Sequence, residues 1–440
     1  MVIRVRDHGG IAWINRMDSR MKFLFRLLFC AVAAFSAGCA TRPPAKPAPV
    51  AKPAPAPLLL ISIDGFRADY IQRGLSPTLA ALAHEGVRAQ AMQPSFPSLT
   101  FPNHYTIVTG LRPDHHGMVN NTMFDPALGE FSLSNRAAGA DGRWWAQGTP
   151  IWETAGRQGL KTATMFWPGS EAPIHDYRPD HWLPYDGAMS PEQRVDTVLS
   201  WLDLPAGERP TFLTLYFDDV DHAGHGYGPD SRQVNESIAK VDAALAHLVD
   251  GLKQRGLLDR INLILVSDHG MASVPAKHNV MVDKLLPLNQ VQVVSLGVLA
   301  GFNPKPGHDF AKIEAKLEKP QQHMQCWDKT RIPARLAYGK NPRVPQLVCL
   351  ADVGWRVTTN EYVAKKLKKG DKLSLGEHGY DNADPTMQAL FVARGPAFRQ
   401  DTVLPAISNV DVYPLMIRLL DLTPVQNDGD AAALKGALKP

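Results

Sequence analysis

The hydrophobic pattern of the chain is dominated by an apolar run at residues 58–65, LLLISIDG, which ends abruptly at Asp64. A continuous apolar run of this length is typical of a parallel strand that is buried on both faces. In open α/β sheets, ligand clefts form at the carboxyl ends of such strands. Asp64 is therefore the first candidate for a functional carboxylate.

Apolar runs alternate with helical patterns along the rest of the chain. Four more strands are predicted at residues 161–167, 211–217, 261–267 and 388–393. Capping residues and apolar spacing predict helices at residues 76–86, 151–158, 191–202, 231–254 and 410–422, and one that begins near Phe101. This alternation predicts an α/β fold whose mostly parallel central sheet is sandwiched between helices. Residues from about 272 to 376 break the rhythm and are predicted to form an inserted smaller subdomain or lid.

The N-terminal part of the chain is predicted to direct export. Within residues 1–39, a basic start, an apolar middle and small residues precede Cys39, as in a secretory signal. Residues 36–39 resemble a bacterial lipobox, although Ser36 replaces its usual leucine-like residue. We therefore expect an exported, periplasmic protein whose Cys39 is lipidated and anchored to the outer membrane, with a soluble periplasmic product as the alternative.

Proline and alanine dominate residues 40–57, which are predicted to form an extended tether. The main domain is predicted at residues 58–430 and a tail at 431–440. Two of the four cysteines belong to the export segment. In an oxidising compartment the other two, Cys326 and Cys349, are expected to form one disulfide, with two separate buried thiols as the alternative.

The charge distribution argues against duplex nucleic acid as a partner. The formal net charge is +4, and residues 1–39 account for all of it because they hold six basic and two acidic residues. The rest of the chain has as many acidic as basic residues. It therefore lacks the net positive charge by which proteins bind the phosphate backbone.

A set of acidic residues and histidines follows three of the predicted strands or lies in a later glycine-flanked loop. Its members are Asp64, Asp221, His225, Asp268, His269 and His378. Three carboxylates and three imidazoles suit Zn²⁺ best, with Mn²⁺ as an alternative. Six such ligands are too many for one tetrahedral ion and fit two, an arrangement that catalyses phosphoryl displacement.

Thr100 is a candidate nucleophile beside this set. It lies at or just before the start of the helix that begins near Phe101, where free N–H groups and the helix dipole favour negative charge. Position alone favours an N-cap role for the hydroxyl. Contact with a metal ion would instead make it an activated nucleophile.

Several motifs together resemble the nucleotide pyrophosphatase/phosphodiesterase family of the alkaline phosphatase superfamily, in a bacterial member. They are IDGFR, PSLTFPNHYTIVTG, HGMVNN, VDHAGHGYGP, SDHGM, EHGYDN and NVDVYPLMIRLLDLTP. The resemblance covers residues 58–429 and implies an alkaline-phosphatase-like catalytic domain with two zinc ions. It implies one ion held by Asp221, His225 and His378, and a second held by Asp64, Asp268 and His269.

The resemblance also assigns the residues that meet the substrate. Thr100 matches the nucleophile, in contact with the second ion, and Asn121 matches the asparagine that hydrogen-bonds the phosphate. Because it adjoins Thr100, Phe101 is the candidate for stacking on a nucleobase, with ordinary packing as the alternative. Tyr185 and Trp167 are candidates for the opposite wall or its support. His104, His115 and His116 are interpreted as structural or supporting residues.

The residues around Thr100 favour a diester or pyrophosphate substrate. Monoesterases commonly place arginine or lysine beside the nucleophile, whereas Thr100 is flanked by Leu99 and Phe101. The leading prediction is a dizinc phosphodiesterase that hydrolyses small nucleotides to nucleoside 5′-monophosphates through a covalent threonine intermediate. The alternatives are choline, glycerol or lysophospholipid diesters, a phosphomonoesterase in which Arg67 or Arg112 turns inward, and an envelope metal-binding protein without turnover.

Overall fold

The secondary structure is that of a computed structural model, which describes residues 55–370 and 372–440. The predicted export segment, the predicted lipidation site Cys39 and the tether up to residue 54 lie outside the described residues. Among the described residues, none of the helices combines the length and the apolar character needed to cross a membrane.

The strands of the described residues are numbered in chain order: β1 (Leu58–Ile63), β2 (Val87–Ala89), β3 (Met92–Gln93), β4 (Thr122–Asp125), β5 (Gly129–Ser132), β6 (Thr162–Met165), β7 (His181–Trp182), β8 (Phe212–Phe217), β9 (Asn262–Val266), β10 (Ala272–Ser273), β11 (Asn279–Met281), β12 (Val291–Ser295), β13 (Leu299–Pro304), β14 (Met324–Asp328), β15 (Leu347–Ala351), β16 (Arg356–Thr358), β17 (Gly376–Glu377), β18 (Phe391–Arg394), β19 (Thr402–Leu404) and β20 (Ile407–Ser408).

The α-helices of the same residues are α1 (Pro77–His84), α2 (Thr100–Thr109), α3 (Pro113–His116), α4 (Arg136–Gly139), α5 (Ile151–Arg157), α6 (Pro191–Leu202), α7 (Asp219–Tyr227), α8 (Arg232–Gln254), α9 (Phe310–Leu317), α10 (Asn360–Lys368) and α11 (Val412–Leu419).

The central sheet has eight strands in the order β19-β2-β18-β9-β1-β8-β6-β7. The strands β9, β1, β8, β6 and β7 run parallel to one another. Only β18 is antiparallel to both of its neighbours, β9 and β2. The predicted mostly parallel sheet is therefore confirmed, with β18 as its exception.

Strand β1 is apolar throughout because helices cover both faces of the sheet. Leu58 and Leu60 join the core on the side of α2, α5 and α11. Leu59, Ile61 and Ile63 join the core on the side of α1, α6 and α8. This arrangement confirms the predicted helical layers on both faces of the sheet.

A second sheet lies within residues 272–376, the segment for which we propose an inserted subdomain. It has four strands in the order β12-β13-β15-β14, and all neighbours are antiparallel. Cys326 and Cys349 are paired residues of β14 and β15, and a disulfide joins them. Residues 431–440, predicted to be a tail, pack on the main domain through buried Leu434 and Leu438.

Candidate metal centre and substrate cleft

The central strands bring the predicted acidic residues to one edge of the sheet. Asp64 directly follows β1, and Asp268 and His269 come shortly after β9. Helix α7 begins two residues after β8 and carries Asp221 and His225. Because β9, β1 and β8 are adjacent and parallel, their carboxyl ends meet, so these side chains converge. His378 reaches them from the residue after β17.

Gly65 allows this convergence. Its φ is +67°, a conformation that glycine adopts without strain, and a Cβ atom there would lie only 3.0 Å from the Cα atom of Asp221. The Asp64-Gly65 pair therefore turns the chain sharply while letting α7 approach the end of β1.

The six predicted ligands come together with a seventh residue, His104. Ligand atoms lie within 4.8 Å of one another in three overlapping groups: Asp221, His225 and His378; Asp64, Asp221 and His269; and Asp64, His104 and Asp268. The first group is the set predicted for one ion. The predicted second set, Asp64, Asp268 and His269, is divided between the other two groups.

Backbone carbonyl oxygens orient the three imidazoles. The Nδ1 atoms of His225, His269 and His378 lie 2.8, 2.9 and 3.0 Å from the carbonyl oxygens of Gly376, Gly270 and Ser98. A carbonyl oxygen can only accept, so each Nδ1 carries a proton, and in the neutral ring each Nε2 presents its lone pair to the cluster. This arrangement is common for histidines that bind metal.

The carboxylates present oxygens that no described residue satisfies. Asp64 Oδ1, Asp221 Oδ1 and Asp268 Oδ2 are buried and have no hydrogen-bond donor among the described residues. Their nearest basic neighbours are the same imidazoles: His269 Nε2 is 2.9 Å from Asp268 Oδ2 without hydrogen-bond geometry. Buried, unpaired carboxylate oxygens are costly unless a cation binds them.

The pKa directions follow from this crowding. Burial, with Asp268 and Asp221 nearby, raises the pKa of Asp64 well above its ordinary value. Burial would also raise the pKa of Asp268, but His269 and His104 outweigh it and hold that pKa well below the ordinary value. Burial lowers the pKa of His378 to about 3. The neutral imidazole and the unsatisfied oxygens fit divalent metal ions of the predicted kind.

His104 supports the site without offering a ligand atom. Its Nδ1 is 2.9 Å from the carbonyl oxygen of Thr100, and its Nε2 is 2.8 Å from Ser62 Oγ. Since Nδ1 must donate to the carbonyl, Nε2 accepts from the serine, and neither nitrogen keeps a free lone pair. Its edge-on contact with Trp167, with ring centroids 5.0 Å apart, holds the ring further.

Thr100 is the first residue of α2, and Leu99 is the N-cap. The expectation from position alone, that the Thr100 hydroxyl caps the helix, is therefore wrong. The side-chain oxygen instead lies 3.2 Å from His269 Nε2 and lines the cleft beside Asp64. The structure thus directs the hydroxyl toward the Asp/His cluster.

A hydrogen bond to the residue after Thr100 orients the side chain of Asn121. Its Oδ1 accepts a hydrogen bond of 2.9 Å from the backbone N–H of Phe101. Because the oxygen faces the backbone, the amide nitrogen is the part of the side chain that remains able to donate.

The cleft next to Thr100 has a volume of about 270 Å³, and six aromatic side chains are among its lining residues. Phe101, Tyr185 and Trp167, all predicted to meet the substrate, line it. Phe101 is half-buried against Trp145, whereas Trp167 is almost fully buried and donates from Nε1 to the carbonyl oxygen of His104. Trp167 therefore also supports the catalytic side of the cleft.

The sequence patterns did not predict two arginine–carboxylate pairs at the cleft. Arg136 and Glu171 line its outer part and lie 3.5 Å apart. Asp218 lines it near Tyr185 and pairs with buried Arg194 at 2.8 Å. No motif marked these residues, although Asp218 does follow β8 directly, as Asp64 follows β1.

The remaining basic candidates lie apart from the cleft. The guanidinium of Arg67 contacts Asp69, Asp230 and the carbonyl oxygen of Met271, and neither Arg67 nor Arg112 lines the cleft. His115 pairs with Asp428 at 2.7 Å. His116 is buried and bonded to Thr106. Both histidines lie outside the cluster, in accord with the structural interpretation.

Known proteins share this architecture. The family model for type I phosphodiesterase / nucleotide pyrophosphatase matches residues 58–381. An uncharacterized pyrophosphatase/phosphodiesterase of Schizosaccharomyces pombe is 37% identical over 382 residues, which are 84% of this chain and 78% of that protein. Ectonucleotide pyrophosphatase/phosphodiesterase family member 1 of Mus musculus is 39% identical over 395 residues, 87% of this chain. The match covers 43% of the mouse protein, so the chain spans less than half of that relative.

Solved structures agree with the sequence comparison. Murine ectonucleotide pyrophosphatase/phosphodiesterase 5, solved as an inactive threonine-to-alanine variant in complex with AMP, has a TM-score of 0.82 and 34% sequence identity. The match covers 87% of this chain and 100% of the murine one. The chain belongs to the type I phosphodiesterase / nucleotide pyrophosphatase family, which confirms at the level of the family the enzyme class predicted from its motifs.

Proposed function

We propose that the chain hydrolyses phosphodiester or pyrophosphate bonds of small nucleotides to nucleoside 5′-monophosphates, with Thr100 as a covalent nucleophile. The observation that carries the proposal is the position of the Thr100 hydroxyl, between the Asp/His cluster and the aromatic cleft. The murine relative that was solved with AMP was inactive as a threonine-to-alanine variant, which supports a threonine nucleophile here.

The proposed cofactors are two zinc ions, with Mn²⁺ as the alternative. Asp221, His225 and His378 would hold one ion, and Asp64, Asp268 and His269 the other. When bound, the ions would supply Lewis-acid stabilisation to the attacking and leaving oxygens. The three imidazoles, fixed with Nδ1 protonated, would keep Nε2 available as a ligand without rearrangement.

In the proposed reaction the Thr100 oxygen forms a bond to phosphorus while the bond to the leaving oxygen breaks. The leaving oxygen carries away the proton that Thr100 loses. Water then breaks the threonine–phosphorus bond, giving its hydroxyl to phosphorus and its proton to Thr100. The Asn121 amide nitrogen would donate to a non-bridging phosphoryl oxygen throughout.

The cleft favours this substrate class over the alternatives. A monoester dianion would require an unpaired cation beside Thr100, whereas Arg67 is held by Asp69 and Asp230 outside the cleft and Arg136, which lines it, pairs with Glu171. A choline headgroup would require an unpaired carboxylate, but the two cleft carboxylates outside the Asp/His cluster, Asp218 and Glu171, each already pair with an arginine. The aromatic walls suit a flat nucleobase.

A comparison of rates on one zinc-loaded preparation tests the proposal. ATP, AMP, glycerophosphocholine and bis-p-nitrophenyl phosphate should be offered at equal concentration. We expect ATP to yield AMP and pyrophosphate, and AMP to be stable. A tenfold or greater preference for hydrolysis of AMP, or for glycerophosphocholine, would contradict the proposed reaction.

We also propose that the chain is exported in a bacterial cell and anchored to the outer membrane through a lipid on Cys39. The signal-like residues 1–39 and the Cys326–Cys349 disulfide support export. Mass spectrometry of the mature protein tests it. A mature N-terminus other than lipidated Cys39 would contradict the anchor, and retention of residues 1–39 in the cytoplasm would contradict export.

A further inference from the structure

The hydroxyl of Tyr185 is tied to a buried ion pair. It donates a hydrogen bond of 2.5 Å to Asp218 Oδ2. The other oxygen of Asp218 accepts from Arg194 at 2.8 Å. The side chains of Arg194 and Asp218 are only 2% and 9% exposed. A charge-assisted hydrogen bond to a carboxylate that is itself fixed in a buried pair restrains the tyrosine ring strongly.

Phe166 also supports the ring of Tyr185. Its ring packs edge-on against Tyr185 with centroids 5.2 Å apart, and the Arg194 guanidinium lies 5.2 Å from the Phe166 centroid. Phe166 has φ +63°, a left-handed conformation that is costly for a bulky residue and persists only where the surroundings enforce it. We call Tyr185, Asp218, Arg194 and Phe166 the Tyr185 clamp.

The Tyr185 clamp connects the cleft to the metal-site edge of the sheet. Tyr185, Phe166 and Asp218 line the cleft that contains Thr100. Asp218 is also the N-cap residue of α7, the helix that carries Asp221. The half-buried ring is therefore held in the cleft by Phe166 and Asp218, which directly follow β6 and β8, and through Asp218 by Arg194 of α6.

We propose that Asp218 and Arg194 are positioning residues that hold Tyr185 as a preformed wall for the flat base of the substrate, and so set selectivity for nucleoside diesters over base-free diesters. The inference rests on the proposed function. A ring that is already immobile loses no conformational freedom when a base stacks on it, which favours binding. Because the clamp does not touch the reacting phosphorus, its loss should raise KM more than it lowers kcat.

Two substrates with the same leaving group test the inference on the full-length, zinc-loaded protein. They are the p-nitrophenyl ester of thymidine 5′-monophosphate and methyl p-nitrophenyl phosphate. Tyr185→Phe removes only the hydroxyl, and Asp218→Asn removes the charge that orders Arg194. Tyr362→Phe is the matched control, since Tyr362 is exposed on α10 and lies outside the cleft.

We expect Tyr185→Phe to raise KM for the nucleoside ester about fivefold with kcat within about a factor of two, given the strength of hydrogen bonds to charged groups. The ratio of kcat/KM between the two substrates should fall accordingly, more so in Asp218→Asn, and stay unchanged in Tyr362→Phe. If Asp218→Asn does not fold, Tyr185→Phe alone decides the question.

An unchanged KM in Tyr185→Phe, or an equal loss on both substrates, would overturn the positioning role while leaving the proposed function intact. A wild-type protein that shows no preference for the nucleoside ester over the methyl ester would overturn the nucleotide substrate and the clamp together. The two failures are therefore distinguishable in one data set.

Discussion

The Nε2 atoms of His225 and His378 face each other at 3.1 Å, while the Nδ1 atom of each ring donates to a backbone carbonyl oxygen. When both rings are neutral, neither Nε2 atom carries a proton, so two lone pairs face each other. Asp221 Oδ1, unsatisfied by any described donor, lies 3.5 Å from His378 Nε2. The cluster is therefore electrostatically incomplete without a cation.

Metal removal should destabilise the protein as well as inactivate it. Ions that bind only the folded state stabilise it, by about 2.7 kcal/mol at a free concentration one hundred times the dissociation constant. We expect a chelator to lower the unfolding temperature by several degrees and abolish diesterase activity, and zinc to restore both. Calorimetry with metal analysis measures this.

Replacement of one predicted ligand, His378→Ala, tests the metal centre, and His323→Ala is its matched control. His323 is partly exposed, interacts with Asp352 and lies outside the Asp/His cluster. We expect the His323 variant to keep the metal content of wild type and the His378 variant to lose about half of it. Full activity after verified removal of all metal would contradict the metal role.

Thr100→Ala should lower kcat by about a thousandfold or more, because no other hydroxyl takes the place of the nucleophile. Its metal content should stay that of wild type. Thr100→Ser keeps the oxygen and should retain measurable turnover. With ATP as substrate, rapid-quench mass spectrometry should show an adenylyl adduct on Thr100 in wild type and none in the alanine variant. Wild-type rates in Thr100→Ala would refute the nucleophile assignment.

Asp64→Asn should have opposite effects on stability with and without metal. In the metal-free protein, burial and the neighbouring carboxylates raise the pKa of Asp64, so its ionised form opposes folding above about pH 4. The metal-free variant should therefore unfold at the same or a higher temperature than metal-free wild type at pH 8. With zinc the order should reverse, because the variant lacks a ligand. Full zinc content and full turnover in Asp64→Asn would contradict its proposed role.

The sequence predicted the parts of the site that follow strands. Asp64 and Asp268 could be anticipated because buried apolar runs ending in an acidic residue place it at the carboxyl edge of a sheet. The antiparallel direction of β18 could not be anticipated, since a short buried run has the same pattern in either direction.

The cleft was predicted less completely than the metal cluster. The pairs Arg136–Glu171 and Arg194–Asp218 join residues from separate parts of the chain, and no local pattern records which arginine meets which carboxylate. Thr100 does lie at the start of a helix as predicted, but its N-cap role was mistaken, because threonine is a common N-cap residue and only the backbone of Leu99 shows that the helix is capped one residue earlier.

The protein should become less stable in mild acid because buried His116 resists protonation in the folded state. Burial lowers its pKa to about 3, and the neutral ring is satisfied by Thr106 and by the backbone N–H of Met118. Its unfolded pKa is about 6.5, so between these values the unfolded chain binds the extra proton and stability falls as the pH falls. From pH 7 to pH 5, this residue alone should cost about 2 kcal/mol of unfolding free energy.

Urea unfolding of metal-free wild type and of His116→Gln measures this contribution, since ion release then plays no part. The variant should lose less stability than wild type between pH 7 and pH 5, by about 2 kcal/mol, even if it is less stable at both. His115→Gln, a change at the exposed neighbour, keeps His116 buried and should retain the pH dependence of wild type. Equal pH dependence in wild type and His116→Gln would show that His116 does not remain neutral in the folded protein.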